Sequence, residues 1–284
     1  MTLCDESARR AFWSRQLDEA HDFMMRVMAI PVRESGEKLV PLVPAAEGAG
    51  VEVAFSTRPH VLGLSRCFVL RQGQIKRFLR AAQAMNRRGW VLKVEDGFRT
   101  RTMQKHIGRI PAVFDGILRK VIWELDGRTP DRAFMFKRLM TLTAQMPKIG
   151  THMSGSAMDI SVLDRVTGRE LDRGGPYLEM SERTPMASPF ISADAARNRE
   201  AITAIMADAG FVAYPYEFWH YNSGDAYECV LRGLPGPAAY GAVDWDPETG
   251  TTTPIADPAA PLNDLAEIEA EIQSSLRRLE LGAT

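Results

Sequence analysis

The chain has 284 residues, 35 of them basic and 36 acidic, for a formal net charge of −1, and 45% of it is hydrophobic. That length can bury a sizeable core, and the balanced charge excludes a chain built to bind nucleic acid electrostatically. No run reaches the roughly 18 apolar residues of a membrane span, no basic head with an apolar core opens the chain, and the scattered Cys4, Cys67 and Cys229 fit free thiols, so a cytoplasmic protein without nucleic-acid or membrane partners is expected.

Residues 6–30 are rich in helix formers, with Phe12, Leu17, Phe23 and Val27 on an apolar face, and Pro31 closes the helix. Val51–Phe55 reads as a strand. From Gln74 to Arg88, Ile75, Phe78, Leu79, Ala82 and Met85 recur at helical spacing, with Gly89 as the stop. Trp90–Asp96 is a strand ending at the Gly97 turn, and a helical region follows over about 100–125, interrupted near Pro111. Ala157–Leu163 alternates as a strand, Asp194–Ala209 is a helix capped by Gly210, and strand-like residues after it carry Glu217 and His220.

Residues 233–262 hold six prolines and four glycines and read as a loop. The tail places Leu265, Ile268, Ile272, Leu276 and Leu279 on one helical stripe, which fits docking on the body or a homodimer contact. The expected organisation is an N-terminal helical extension (1–40), an α+β catalytic domain (41–232), a Pro/Gly-rich linker (233–263) and an amphipathic C-terminal helix (264–284).

Two short segments carry chemistry. His152-x6-Asp159 and Glu217-x-x-His220 offer two imidazoles and a carboxylate for a divalent metal, with a second carboxylate beside the last ligand to activate water. Three protein ligands with an open fourth position suit a catalytic zinc. Gly155, Ser156 and Ala157 are small enough for backbone to pass close by. His106 reads as an ordinary polar-face histidine, His21 and His60 have no partner pattern, and Cys229 reads as a buried thiol.

The surrounding residues are more specific. Asp96-Gly97-Phe98-Arg99, His152-x-x-Gly155-Ser156-Ala157-Met158-Asp159, Glu179-Met180-Ser181-Glu182-Arg183, Asn198-Arg199-Glu200, Ala209-Gly210-Phe211 and Glu217-x-Trp219-His220-Tyr221 appear in one order over about 75–232. In this the chain resembles the D-alanyl-D-alanine dipeptidases, the VanX-like branch of zinc D,D-peptidases. The resemblance implies a single zinc-peptidase domain with a small, mostly antiparallel sheet flanked by helices. It also implies one Zn2+ on His152, Asp159 and His220, Glu217 as general base, Arg99 as oxyanion stabiliser, and a small peptide as substrate. Trp219 and Tyr221 would pack around His220.

Two positions depart from the family pattern. Where the family carries an Asp for the substrate ammonium, this chain has Leu178, in Tyr177-Leu178-Glu179-Met180, and an apolar side chain cannot offset the desolvation of a buried ammonium. Either Glu179 turns inward or the substrate lacks a charged amino group. Gly150 replaces a Ser that contacts the substrate carboxylate, and Ser154 stands where an Arg is common. These changes leave three readings: a D-Ala-D-Ala-type dipeptidase, a zinc amidohydrolase or carboxypeptidase acting on an N-blocked or non-dipeptide substrate, and a non-catalytic ligand-binding relative.

Overall fold

The computed structural model describes residues 3–281. Its first part comprises α1 (Leu3–Ala29), β1 (Leu39–Pro41), α2 (Leu42–Gly48), β2 (Val53–Phe55), β3 (Val69–Arg71), α3 (Ile75–Arg87) and β4 (Trp90–Asp96). Then come α4 (Arg101–Ile107), α5 (Pro111–Glu124), α6 (Arg132–Thr143), β5 (Ala157–Asp164), α7 (Ala193–Ala209), β6 (Val212–Ala213), β7 (His220–Asn222) and α8 (Ala226–Arg232). The hairpin β8 (Val243–Trp245) and β9 (Thr252–Pro254) and the helix α9 (Leu265–Leu281) complete the chain.

The central sheet runs β2-β4-β5-β7-β6. Only β2 and β4 pair in parallel, so the sheet is mostly antiparallel and the fold is α+β, as expected. Alternation along β5 divides its two faces. Met158, Ile160 and Val162 point into the main core, against Phe78, Ala82 and Met85 of α3 and Ile202 and Met206 of α7. Asp159 therefore faces the other side. The helix α7 begins at a Ser192 cap, whose side chain accepts from Ala195 N at 3.1 Å, and ends at Gly210.

The region around Pro111 is two helices. Thr100 caps α4 by accepting from Met103 N, and Pro111 opens α5, where its missing N–H costs nothing. The helix α6 shows no stripe in the sequence, because its run Arg132–Thr143 is buried on too many sides. Its Arg138 is buried and paired with Glu124 of α5 and Asp18 of α1, which ties three helices together.

Residues 233–262 are irregular backbone apart from the β8–β9 hairpin. That segment is strapped to the body: Ala238, Tyr240, Ala242, Val243 and Ile255 are buried, and Lys148 N donates to Pro258 O at 2.8 Å. Apolar residues spaced between the prolines supply that anchoring. Trp245 of β8 packs edge-on against buried Phe98 at 5.6 Å and so supports the turn that carries Arg99. The stripe of α9 docks on α5 and α6, with Ile268 and Ile272 buried, so the apolar face considered for a homodimer is covered by its own chain. No helix of the described residues is long and apolar enough to cross a membrane.

The α9 contact is also electrostatic. Arg278 Nη2 lies 2.6 Å from Asp115 Oδ1, and Ser275 Oγ donates to the same oxygen at 2.6 Å. The Arg278 hydrogen bonds hold the Asp115 carboxyl below its ordinary value despite some burial. The lowered value places this stabilisation fully above about pH 3.9, the unfolded carboxyl's pKa, with loss as pH falls further. Asp115→Asn should cost roughly 1 kcal/mol at pH 7. Thermal melts of the two proteins should converge as the pH drops below 4, and a gap that stays constant with pH would refute the assignment.

Candidate active site

Strand register builds the site. Asp96 at the end of β4, Asp159 in β5 and His220 at the start of β7 are register partners and form one row across the sheet. An irregularity at Glu95 shifts the pairing by one residue and brings Asp96 opposite Asp159. His152 enters from the tight turn Thr151–Ser154, and Gly155, with φ 69°, returns the chain into β5.

All three expected metal-binding residues converge. One donor atom from each of His152, Asp159 and His220 lies within 4.8 Å of the others, and all three residues are buried. His152 Nε2 is 3.1 Å and His220 Nδ1 is 3.0 Å from the same Asp159 Oδ1. The other ring nitrogens are held from behind. His152 Nδ1 faces the Gly97 carbonyl at 2.6 Å, and His220 Nε2 faces the Thr151 hydroxyl at 2.9 Å.

A carbonyl only accepts, so this contact places a proton on His152 Nδ1 and turns Nε2 toward Asp159 Oδ1. Nitrogen and carboxylate oxygen at that distance share either a proton or a metal cation. Burial also lowers the His220 pKa and favours the neutral, ligating imidazole. The donor set and its hydrogen-bonded outer partners fit zinc. Gly97 reaches this position because its backbone runs against Cys67 O, where an added Cβ would lie only 2.6 Å away.

Asp159 uses its second oxygen for orientation. Oδ2 accepts from Arg99 Nη2 at 3.0 Å and from the Tyr177 hydroxyl at 2.9 Å. Burial opposes its charge, but His152, His220 and Arg99 outweigh that and hold the carboxyl well below the usual range. Burial and the Asp159 charge raise the Tyr177 phenol well above its ordinary value, so it stays a donor.

Asp96 forms a hub behind this row. It accepts from Arg99 Nε at 2.7 Å and Gly97 N at 3.1 Å, and it also faces His60 Nε2 and Arg66 Nη1 at 3.2 Å each. Arg99 is thereby fixed by two buried carboxylates. Its remaining Nη1 makes no hydrogen bond to the described residues.

The cluster lies in the wall of a cavity of about 820 Å³ that also takes in Glu217, Leu178, Glu179 and Gly150. Burial pushes the Glu217 carboxyl up to about 8, with the Asp159 charge adding to the effect and Arg99 opposing it. Gly150 lines the cavity with room for a β-carbon, its nearest neighbours lying at 3.5–3.6 Å. Glu179 is at the cavity too, but its Oε1 is paired with Arg183 at 2.8 Å and with the Ser181 hydroxyl. Trp219 packs edge-on against Tyr177 at 5.8 Å, and Tyr221 is buried in the core with its hydroxyl 3.0 Å from Thr203.

Ser154, also expected at the substrate, is not among the residues that line this cavity. Its buried hydroxyl donates to Thr151 O at 2.7 Å and pairs with Ser156 Oγ, on the far side of the turn from the cavity. The tight turn that aims His152 at the cavity turns the buried Ser154 toward Ser156 instead.

Sequence reasoning assigned no role to Asp96, Tyr177, Thr151 or His60. Asp96 and Tyr177 lie in the segments Asp96-Gly97-Phe98-Arg99 and Tyr177-Leu178-Glu179-Met180, and that proximity to Arg99 and Leu178 is the signal the sequence carries for them. His60 had none, because only the fold brings it to Asp96.

A sequence model described as D-ala-D-ala dipeptidase matches residues 37–234. The chain belongs to the D-Ala-D-Ala dipeptidase family of peptidases. A D-alanyl-D-alanine dipeptidase of Synechocystis sp. is 26% identical over 227 residues, 70% of this chain and 86% of that protein. One of Enterococcus faecium is 37% identical over 90 residues, 32% of this chain and 41% of its own length. A solved structure of the LdcB LD-carboxypeptidase aligns over 71% of this chain and 76% of its own, at 19% identity and a TM-score of 0.37. The dipeptidase-family match makes this chain a metallopeptidase. It runs from β1 through α8 and contains every residue of the cluster, while α1, the β8–β9 hairpin and α9 lie outside it.

Proposed function

We propose that the chain is a zinc-dependent peptidase that hydrolyses the peptide bond of a small D-Ala-D-Ala-like peptide. The observation that carries this reading is the convergence of His152 Nε2, Asp159 Oδ1 and His220 Nδ1 in the same cavity wall as Glu217. Zinc held by these three would supply Lewis acidity toward the scissile carbonyl and the attacking water. Glu217 takes the water's proton and returns it to the leaving amine, and the burial that raises its carboxyl makes it a stronger proton acceptor. Arg99, locked by Asp96 and Asp159, turns its free Nη1 toward the developing oxyanion. Tyr177 and Arg99 hold Asp159 Oδ2, which keeps Oδ1 turned toward the two imidazoles.

A second reading, a zinc amidohydrolase or carboxypeptidase acting on an N-blocked substrate, is favoured by one observation. Glu179, the residue that could replace an amino-binding Asp at Leu178, is already neutralised by Arg183.

Metal removal tests the common core of both readings. The purified protein should contain one zinc per chain and should lose hydrolysis of D-Ala-D-Ala and N-acetyl-D-Ala-D-Ala on dialysis against a chelator. One equivalent of zinc should restore it. Activity that survives in metal-free protein would sink the proposal.

A further inference from the structure

The cavity is larger and more apolar than hydrolysis of a dialanine requires. Its volume of about 820 Å³ lies near the upper end of the roughly 300–1,000 Å³ that hold drug-sized ligands. Away from the metal-binding cluster it is lined by Leu62, Ile107, Ile110, Val113, Leu178 and Met180. Leu62 and Leu178 stand out because they are 64% and 58% exposed, on two loops distant in sequence. Both also hold left-handed backbone, with φ of 60° and 66°. That region disfavours a branched side chain, and strained positions of this kind persist where the surroundings over-determine them, notably at ligand clamps. Two strained, exposed leucines at one cavity are not explained by the packing of the fold.

The charges in the same wall say which end of a substrate meets this surface. Four carboxylates line the cavity. Asp96 is spent on Arg99, Arg66 and His60, Asp159 on the cluster, and Glu179 on Arg183. Only Glu217 is left, and it is occupied by the reaction. A free ammonium would therefore lose its hydration without gaining a counter-charge, whereas an uncharged apolar group would bury surface against the leucines.

We infer that the Leu62–Leu178 side of the cavity is an acyl subsite, and that the substrate is a short peptide whose amino end carries an apolar acyl chain. This rests on the hydrolase reading above and narrows its substrate. The chain lies between the Val61–Gly63 turn and α4 on one side and the Leu178 loop on the other. The scissile bond sits at His152, Asp159, His220 and Glu217.

The test is a chain-length series of D-Ala-D-Ala itself and its N-acetyl, N-butanoyl and N-hexanoyl forms, assayed with the zinc-loaded full chain. kcat/KM should rise roughly threefold to fourfold per added methylene, mainly through KM, and the free dipeptide should be the poorest substrate. Leu62→Asn and Leu178→Asn, which suit left-handed backbone better than leucine, should flatten that dependence while both variants keep their zinc. A free dipeptide cleaved as well as the hexanoyl form, or a chain-length dependence unchanged in both variants, overturns the subsite. Failure to cleave any member would count against the hydrolase reading. Calorimetric titration with N-hexanoyl-D-alanine and N-acetyl-D-alanine then decides the subsite separately: much tighter binding of the longer acyl chain supports it, and equal binding overturns it.

Discussion

Replacing Glu217 with glutamine should lower kcat by roughly 10²–10⁴ and leave the metal content of the purified protein unchanged. The substitution keeps the side chain's size and removes its capacity to accept a proton. Glu217 is not among the three converging donors, so the metal-binding set stays intact. Its carboxyl is pushed up by burial and by the Asp159 charge, so an amide at this position even removes a desolvated group, and the fold should tolerate it. Zinc analysis and steady-state kinetics on the same preparation separate the two claims. Turnover within threefold of the parent would remove Glu217 from the mechanism, and a zinc-free variant would mean that it is a ligand.

The largest effect on stability is expected at Asp96. This carboxylate is 1% exposed and receives Arg99, Arg66, His60 and the Gly97 amide. Burial works against its charge, and Arg99 and His60 outweigh that to hold it well below the usual carboxylate range. Asp96→Ala strands buried cations, and removing one partner of such a pair costs about 3–5 kcal/mol. Catalysis should fall as well, because Arg99 loses the contact that fixes its Nε. Urea denaturation should show a lower midpoint with an unchanged slope, and a loss below about 1 kcal/mol would show that the hub is solvent-screened.

Much of the site was legible in the sequence because its spacings are local. His152 and Asp159 are joined by one tight turn, and Glu217 and His220 by another, so a short pattern captures each pair. The helices α3 and α7 were legible because each buries one face and ends at a recognisable cap. Where the physics was non-local, the pattern was silent. The helix α6 is enclosed on several sides and has no polar stripe to betray its period. The Pro/Gly-rich segment read as a loop because its anchoring residues meet partners such as Phe98 that are remote in sequence. Ser154 is a local case of the same kind: it shares a motif with His152, yet its hydroxyl pairs with Thr151 O and Ser156 Oγ, which spacing does not reveal.

The row Asp96–Asp159–His220 is aligned by strand register and not by the chain that connects its members. The connection after β5 can therefore lengthen at its tip without moving Asp159 or His220, whereas a single residue gained or lost inside β5 would reverse which side of the sheet Asp159 faces. The turn that follows β5 exposes Val166 at 91% and is closed by Asp164 at its base. A reporter domain spliced in at Val166 should leave the His152–Asp159–His220 cluster undisturbed, which makes that tip a natural attachment point for a reporter of metal uptake by this chain.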